Sequence, residues 1–208
     1  LAANATDADG DYLYVVNGSG PCPNDTGTVQ IQLENAVDAG TDASITLCTD
    51  AAPLTLLNAL NGNPDSGGQW TAPGNLAFGD TFNAAADAAG IYTYSVSAVL
   101  PCPTQSSTLN ISVDPLPQAG EDATLVICAD GAVTALFSLL GGSPDDGGAW
   151  LNPLGAAHTG SLDPAQDTSG TYTYVVFGPN TCHHLSDTSI VAVTVNPLPV
   201  VTFFADPD

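Results

Sequence analysis

The sequence predicts an all-β chain of tandem antiparallel β-sandwich modules, and three observations carry that prediction. The 208-residue chain repeats itself at a fixed interval: Tyr12, Tyr92 and Tyr172 are evenly spaced, and Cys22, Cys102 and Cys182 keep the same step. Short runs with alternating apolar residues recur in each copy, separated by Gly, Pro, Asn and Asp turns. Each complete copy also sets a Trp just after a Gly-Gly turn, at Trp70 and Trp150, where a two-sheet sandwich can take an aromatic into its core. Solenoid units run to about 20 to 50 residues and need their neighbours. The interval from Tyr12 to Tyr92 is longer, and a copy of that length encloses a small core of its own.

The elements follow in order. Residues 1–37 match the second half of a module, because Asp7-Ala8-Asp9-Gly10-Asp11-Tyr12-Leu13-Tyr14 aligns with Asp87-Ala88-Ala89-Gly90-Ile91-Tyr92-Thr93-Tyr94. Complete modules occupy 38–117 and 118–199, and 200–208 reads as the first strand of another. Ile45 to Cys48 and Leu125 to Cys128 are short β-rich runs. Ile91 to Val96 and Thr171 to Val176 alternate, as do Ser107 to Val113 and Ser189 to Val195. One stretch has a helical period instead. Val133, Leu136, Phe137 and Leu140 fall at i, i+3, i+4 and i+7, with Asp130 as N-cap and Gly141-Gly142 as stop. Leu56, Leu57 and Leu60 repeat it after Asp50, so each module is expected to carry one short helix. The chain begins without Met or a signal segment, which reads as an excerpt of a longer exported chain or as a processed subunit.

Charge narrows the partners. There is no Lys or Arg among the residues, against 22 acidic ones, giving a net charge of −22, yet 44% of the chain is hydrophobic. Folded modules rather than disorder are expected from that balance. Nucleic acid is excluded as a partner, since its binding depends on Lys and Arg neutralising phosphates, and so are anionic membrane surfaces. No apolar run is long enough to span a bilayer as a helix. Uniform acidity suits a saline exterior, where screening limits self-repulsion.

Cys48 and Cys102 are separated by the same stretch of sequence as Cys128 and Cys182. No C-x-x-C pattern supports zinc or thioredoxin-like chemistry. The equal spacing predicts one disulfide within each module, Cys48 with Cys102 and Cys128 with Cys182, formed outside the cytoplasm. Cys22 would then find its partner in a module half that precedes Leu1.

Asp87-x-x-Gly90-x-Tyr92, repeated as Asp167-x-x-Gly170-x-Tyr172, resembles the tyrosine corner of immunoglobulin-like domains. Two residues on, where an antibody domain has Cys, this chain has Tyr14, Tyr94 and Tyr174. With its Gly-Gly-x-Trp turn, Gly-x-Tyr-x-Tyr strand and Pro-Leu-Pro links at Pro115 to Pro117 and Pro197 to Pro199, the unit looks like the immunoglobulin-like or PKD-like repeats of giant surface proteins of gliding bacteria. That resemblance implies export by the type IX secretion route and a role in an adhesin, stalk or filament. It implies no binding residue, because the shared motifs are scaffold motifs.

The repeated Asp87, Asp167, Trp70, Trp150, Tyr92 and Tyr172 read as corner and core residues. Both Trp side chains are expected to be buried, and both corner Tyr side chains to bond back to nearby backbone. His158 stands alone, and His183-His184 follow Cys182 in a loop two residues longer than its counterpart after Cys102. Nothing marks a nucleophile elbow. Asp7-Ala8-Asp9-Gly10-Asp11 has the alternation of a calcium loop without its closing Glu. Calcium is the one cofactor considered, at the module junctions: Glu34, Asp38 and Asp42 flank one, and Asp114, Glu121 and Asp122 the next. A solvated acidic hinge is the other reading of those carboxylates.

The expected function is non-enzymatic: a structural segment of an extracellular or cell-surface fibre, or of a large repeat adhesin, serving attachment or gliding. Its partners would be neighbouring modules or copies of itself, with surface glycans or other cells as further targets. Two alternatives stand beside it. One is a carbohydrate-binding array of a secreted enzyme, and the other is a filament subunit whose half-module is completed by a strand from another chain.

Overall fold

A computed structural model describes residues 9–201. Two compact units are present. One takes the chain up to Ser44 with Thr55–Thr81 and Gly90–Asn110, and the other takes Ile45–Leu54, Phe82–Ala89 and the chain from Ile111 onward.

Among the described residues the secondary structure is strands and short 3-10 turns. A hairpin of β1 (Gly10–Val16) and β2 (Asp25–Ile31) comes first. Seven strands follow: β3 (Ala43–Cys48), β4 (Leu54–Thr55), β5 (Gln69–Ala72), β6 (Leu76–Phe78), β7 (Thr81–Phe82), β8 (Gly90–Val96) and β9 (Gln105–Asp114). Seven more repeat the pattern: β10 (Ala123–Cys128), β11 (Thr134–Ala135), β12 (Ala149–Leu151), β13 (Ala157–His158), β14 (Ser161–Leu162), β15 (Gly170–Phe177) and β16 (Ser186–Asn196). Each set of seven makes a five-stranded sheet, ordered β3-β9-β8-β5-β6 and β10-β16-β15-β12-β13, and a two-stranded one, β4-β7 and β11-β14. In the second set the sheets are antiparallel as expected except at one edge, where β10 runs parallel to β16 with Ala123 opposite Val191. These are the first and last strands of their set, so no hairpin constrains their direction.

The alternation is legible in burial. In β15, Tyr172, Tyr174 and Val176 point inward, and in β16 Val191 and Val193 meet them across the sheet. They share a core with Leu136, Leu140, Trp150 and Leu162. Trp150 is 6% exposed and Trp70 2%. Each Trp lies tilted on the second Tyr of the strand paired with its own, Trp70 on Tyr94 at 4.9 Å and Trp150 on Tyr174 at 5.2 Å between ring centres.

The helix forecast needs correction in detail. The apolar run closes as four-residue 3-10 turns, Leu56–Ala59 and Leu136–Leu139, and Asp130 does not cap the second, whose preceding residue is Ala135. Residues 134 and 135 are drawn into pairing with β14, which leaves too short a segment for a regular helix. Leu136 and Leu140 are buried, as their spacing required.

The Asn-Pro-Asp and Ser-Pro-Asp loops explain the Gly-Gly-x-Trp motif. Tyr94 Oη donates to the Asp65 carbonyl at 2.6 Å and accepts from Gly68 N–H at 2.9 Å. Tyr174 does the same with Asp145 and Gly148, at 2.6 and 2.8 Å. A Cβ on Gly68 or Gly148 would collide with the ring of that Tyr, so no side chain fits there. The corner itself is also formed. Tyr172 Oη donates to the Thr168 carbonyl at 2.9 Å, and burial, with help from the Asp167 charge, raises its phenol pKa. Tyr92 is equally buried.

These two tyrosines give a ranking. Tyr174→Phe leaves a carbonyl and an N–H without their partner, whereas Tyr172→Phe leaves one carbonyl, so losses of about 2 and about 1 kcal/mol are expected. Urea unfolding followed by tryptophan fluorescence measures both, and a larger loss for Tyr172→Phe would show that the loop is held by other contacts.

Candidate functional site

The most built feature outside the cores surrounds the end of β3. Thr49, the residue after that strand, donates both its N–H and its hydroxyl to the Asp114 carbonyl at the end of β9, at 3.1 and 2.8 Å. The turn Asn180–Cys182 arrives at the same carbonyl, with Cys182 Sγ 3.4 Å from it. Cys48 and Cys182 are joined there as a disulfide across 134 residues. Both sulfurs are buried in the second compact unit.

This overturns the pairings expected from spacing. Cys48 is not bonded to Cys102, nor Cys128 to Cys182; Cys22, Cys102 and Cys128 are thiols. The physical reason is the direction the loop cysteine faces. Cys102 Sγ–H points to the Glu34 carbonyl at 3.6 Å, and Cys182 occupies the corresponding place beside Asp114, one repeat further on. Each loop cysteine therefore looks back to the last strand of the repeat before it, and away from the strand-end cysteine of its own repeat.

Polar contacts surround the bridge. Asp114 Oδ2 accepts from Thr181 N–H at 3.0 Å and Thr181 Oγ1–H at 2.6 Å, and Asn180 reaches Oδ1 at 3.5 Å. Those bonds, the Thr181 hydroxyl first, hold the Asp114 carboxyl below its ordinary value of 3.8. His184 Nε2 lies 3.2 Å from Asp50 Oδ2, and its Nδ1 lies 3.2 Å from the Thr181 carbonyl. The two-residue insertion after Cys182 thus supplies a second polar tie. His183 Nδ1 faces the Asn180 carbonyl at 2.6 Å.

The six junction carboxylates do not converge. Asp38 and Asp42 accept from Gly40 N–H at 2.8 Å and Thr108 N–H at 2.7 Å. Asp122 accepts from Ile190 N–H at 2.9 Å, and Glu34 from the Gln32 amide at 3.0 Å. Glu121 pairs through its backbone with Gly141. Asp114 is committed to Thr181. Among the described residues no three His, Cys, Asp or Glu side chains gather as a metal site. Of the Asp7-Asp9-Asp11 motif, Asp7 lies outside the described residues, and Asp9 caps Leu33 N–H at 2.6 Å. His158 lies edge-on to Tyr172, takes the Gly160 N–H on Nδ1 at 3.1 Å and has Nε2 3.4 Å from Asp167. Both scaffold readings hold: Asp87 and Asp167 accept from Asn83 and Asp163 N–H at 2.7 and 2.8 Å.

A second feature is the face of the first hairpin. Tyr12, Tyr14, Val16 and Val29 are exposed, Tyr14 at 70%, although their counterparts Tyr92, Tyr94, Val96 and Leu109 are all buried.

Comparison with known proteins supports the fold. A three-Ig I-band fragment of titin is similar at 14% identity with a TM-score of 0.56, over 90% of this chain and 75% of the fragment. A Glu-to-Ala variant of it gives 0.54 at the same identity and coverage. The EC1-2 fragment of human protocadherin-24 gives 0.37 at 14% identity, over 81% of this chain and all of that one. The chain has an immunoglobulin-like fold. No protein-family profile and no curated protein sequence matches it.

Sequence reasoning missed Thr181 and Asp114 as a pair, and the buried serines. Ser107 and Ser189 Oγ donate to the Ala39 and Ala119 carbonyls, at 2.5 and 2.7 Å. The signal available for the serines was their recurrence opposite the two Ala residues.

Thr181→Val keeps the N–H and removes the hydroxyl, so the Asp114 pKa is expected to rise toward 3.8 in a carbon-detected NMR titration. A depressed carboxyl stabilises the fold above its unfolded value, and that contribution is lost as pH falls through the folded one, so the variant loses less on acidification. An unchanged titration would show that water, rather than Thr181, holds the carboxylate.

Proposed function

We propose that this chain is a force-transmitting, non-catalytic segment of an extracellular fibre or large repeat adhesin, of the kind that gliding bacteria place on their surface through type IX secretion. The Cys48–Cys182 bridge carries the reading. It ties one sequence repeat to the next, and a disulfide of this kind belongs to an oxidising exterior. Its position sets the path of a stretching force. A pull on the two ends passes from Cys48 straight to Cys182, so the residues between them are outside the load.

Other features agree with a mechanical role. The repeated Asp, Tyr and Trp residues are spent on holding loops and core, and the solved structures of similar fold are of immunoglobulin-like domains. The absence of Lys and Arg leaves trypsin-like proteases no site. Burial of Trp70 and Trp150 counts against a carbohydrate-binding array, which binds its ligand on exposed aromatic rings. Strand exchange between copies is a second reading, favoured by the exposed Tyr12, Tyr14, Val16 and Val29. Sedimentation at rising concentration tests it, and a monomer throughout removes it.

Force spectroscopy tests the main reading. Stretched between handles at its ends, the oxidised chain is expected to keep the 134-residue loop closed. Reduction then releases about 45 nm of further extension, at roughly 3.4 Å per residue. Full extension of the oxidised chain would remove the load-path argument.

A further inference from the structure

Three thiols are left over, and two of them sit where the bridged cysteines sit. Cys128 ends β10 as Cys48 ends β3. The backbone around them is the same: Ala51 N–H donates to the Cys48 carbonyl and Gly131 N–H to the Cys128 carbonyl, both at 2.9 Å. Thr49 N–H reaches Asp114 at the end of β9, and Ala129 N–H reaches Asn196 at the end of β16, at 2.9 Å. The loop cysteines correspond in the same way. Cys102 N–H donates to the Val99 carbonyl and Cys182 N–H to the Pro179 carbonyl, in matching turns, at 3.0 and 2.8 Å. Their sulfurs face Glu34 and Asp114, which the sequence repeat superposes. What differs is the cover. Cys48 is 4% exposed because Cys182 lies over it, whereas Cys128 is exposed and has the free Asn196 end of β16 beside it.

We propose that Cys128 and Cys102 are the open halves of the same cross-repeat staple. Cys128 takes the loop cysteine of a following repeat of this class, arriving beside Asn196 as Cys182 arrives beside Asp114. Cys102 takes the strand-end cysteine of a preceding repeat, arriving beside Glu34. The array is then joined by one disulfide across each junction, in place of one inside each module. The inference deepens the fibre reading and rests on it for the existence of further repeats.

The chemistry is thiol–disulfide exchange with a disulfide-bearing oxidant, such as an oxidoreductase or oxidised glutathione. One cysteine thiolate attacks the oxidant disulfide, forming a mixed disulfide and releasing one oxidant thiol. The second thiolate attacks the protein sulfur of that mixed bond and expels the other. Two protons and two electrons pass from the cysteine pair to the oxidant, which leaves as a dithiol or two thiols.

Two experiments decide it. In the first, the unaltered chain is reduced, reoxidised with glutathione disulfide and cut with an Asp-specific protease for peptide mapping. Cys48–Cys182 is expected to return with Cys128 free or glutathione-capped. Recovery of Cys48–Cys102 and Cys128–Cys182 instead would overturn the staple, whatever the role of the chain. In the second, a copy of residues 118–199 is appended after Pro199 and the product oxidised in the same way. Cys128 is expected to join the loop cysteine of the appended copy, and its maleimide labelling to fall by about tenfold or more, since a disulfide sulfur has no thiolate. An appended copy that closes its own two cysteines, or a Cys128 that labels as before in a copy shown folded by its tryptophan fluorescence, rejects the proposal. If the copy does not fold, the first experiment decides alone. A staple that forms while the oxidised and reduced chains yield at the same force would sink the fibre reading and leave the staple standing.

Discussion

A chain with 22 acidic residues and neither Lys nor Arg must find partners for its carboxylates among backbone N–H groups, hydroxyls, amides and three histidines. The loop structure follows from that constraint. Asp42 and Asp122 bind the N–H groups of Thr108 and Ile190, fastening the first strand of each repeat to the last. Asp65 and Asp145 bind the N–H groups of Asp38 and Gln118, both at 2.9 Å, fastening the entry to each repeat. Hydrogen bonds to an ionised acceptor are stronger than neutral ones. They leave the side-chain charge in place, so repulsion between copies is retained while each loop is fixed.

The same loops organise the core. Asp65 uses its carboxylate and N–H on Asp38, and its carbonyl on Tyr94, whose ring supports Trp70. A single turn thus connects the repeat entry to the inner aromatic pair. In antibody domains that strand position carries the intersheet cysteine, and here a tyrosine with two hydrogen bonds stands in its place. The disulfide is freed from the core, and it appears at the junction instead. Covalent chemistry and core packing have been assigned to separate places in the repeat.

Much of this was legible in the sequence. The even spacing of Tyr, Trp and Cys gave the repeat, the alternating runs gave β8, β9, β15 and β16, and Asp-x-x-Gly-x-Tyr gave the corner. The disulfide was not legible, for an arithmetic reason. Cys48 to Cys182 spans 134 residues, one full period more than Cys48 to Cys102. Periodicity fixes which cysteines are equivalent and leaves open which copy supplies the partner. The junction carboxylates show the same limit: Glu34, Asp38 and Asp42 are near in sequence, but each faces a donor of its own. Pattern also made too much of the helix, because two residues of pairing with β14 shortened it.

Magnitudes order the contributions around Cys48–Cys182. Closing a loop of 134 residues restricts the unfolded chain by up to roughly 5 kcal/mol on the chain-entropy account, of which native strain and residual structure take a part. The exposed His184–Asp50 contact, with side chains 52% and 38% accessible, is worth at most about 1 kcal/mol and weakens with salt. The covalent bond therefore sets how far the end of β3 and the Cys182 turn can separate. The polar ties select the conformation of the turn that delivers Cys182. At the positions corresponding to Asn180 and Thr181 the earlier repeat has Leu100 and Pro101, neither with a side-chain donor. Cys102 is placed there by its N–H bond to the Val99 carbonyl and by the weak thiol contact to Glu34, so the polar clamp around Asp114 is a feature of the later junction, added to a cysteine geometry that both junctions share.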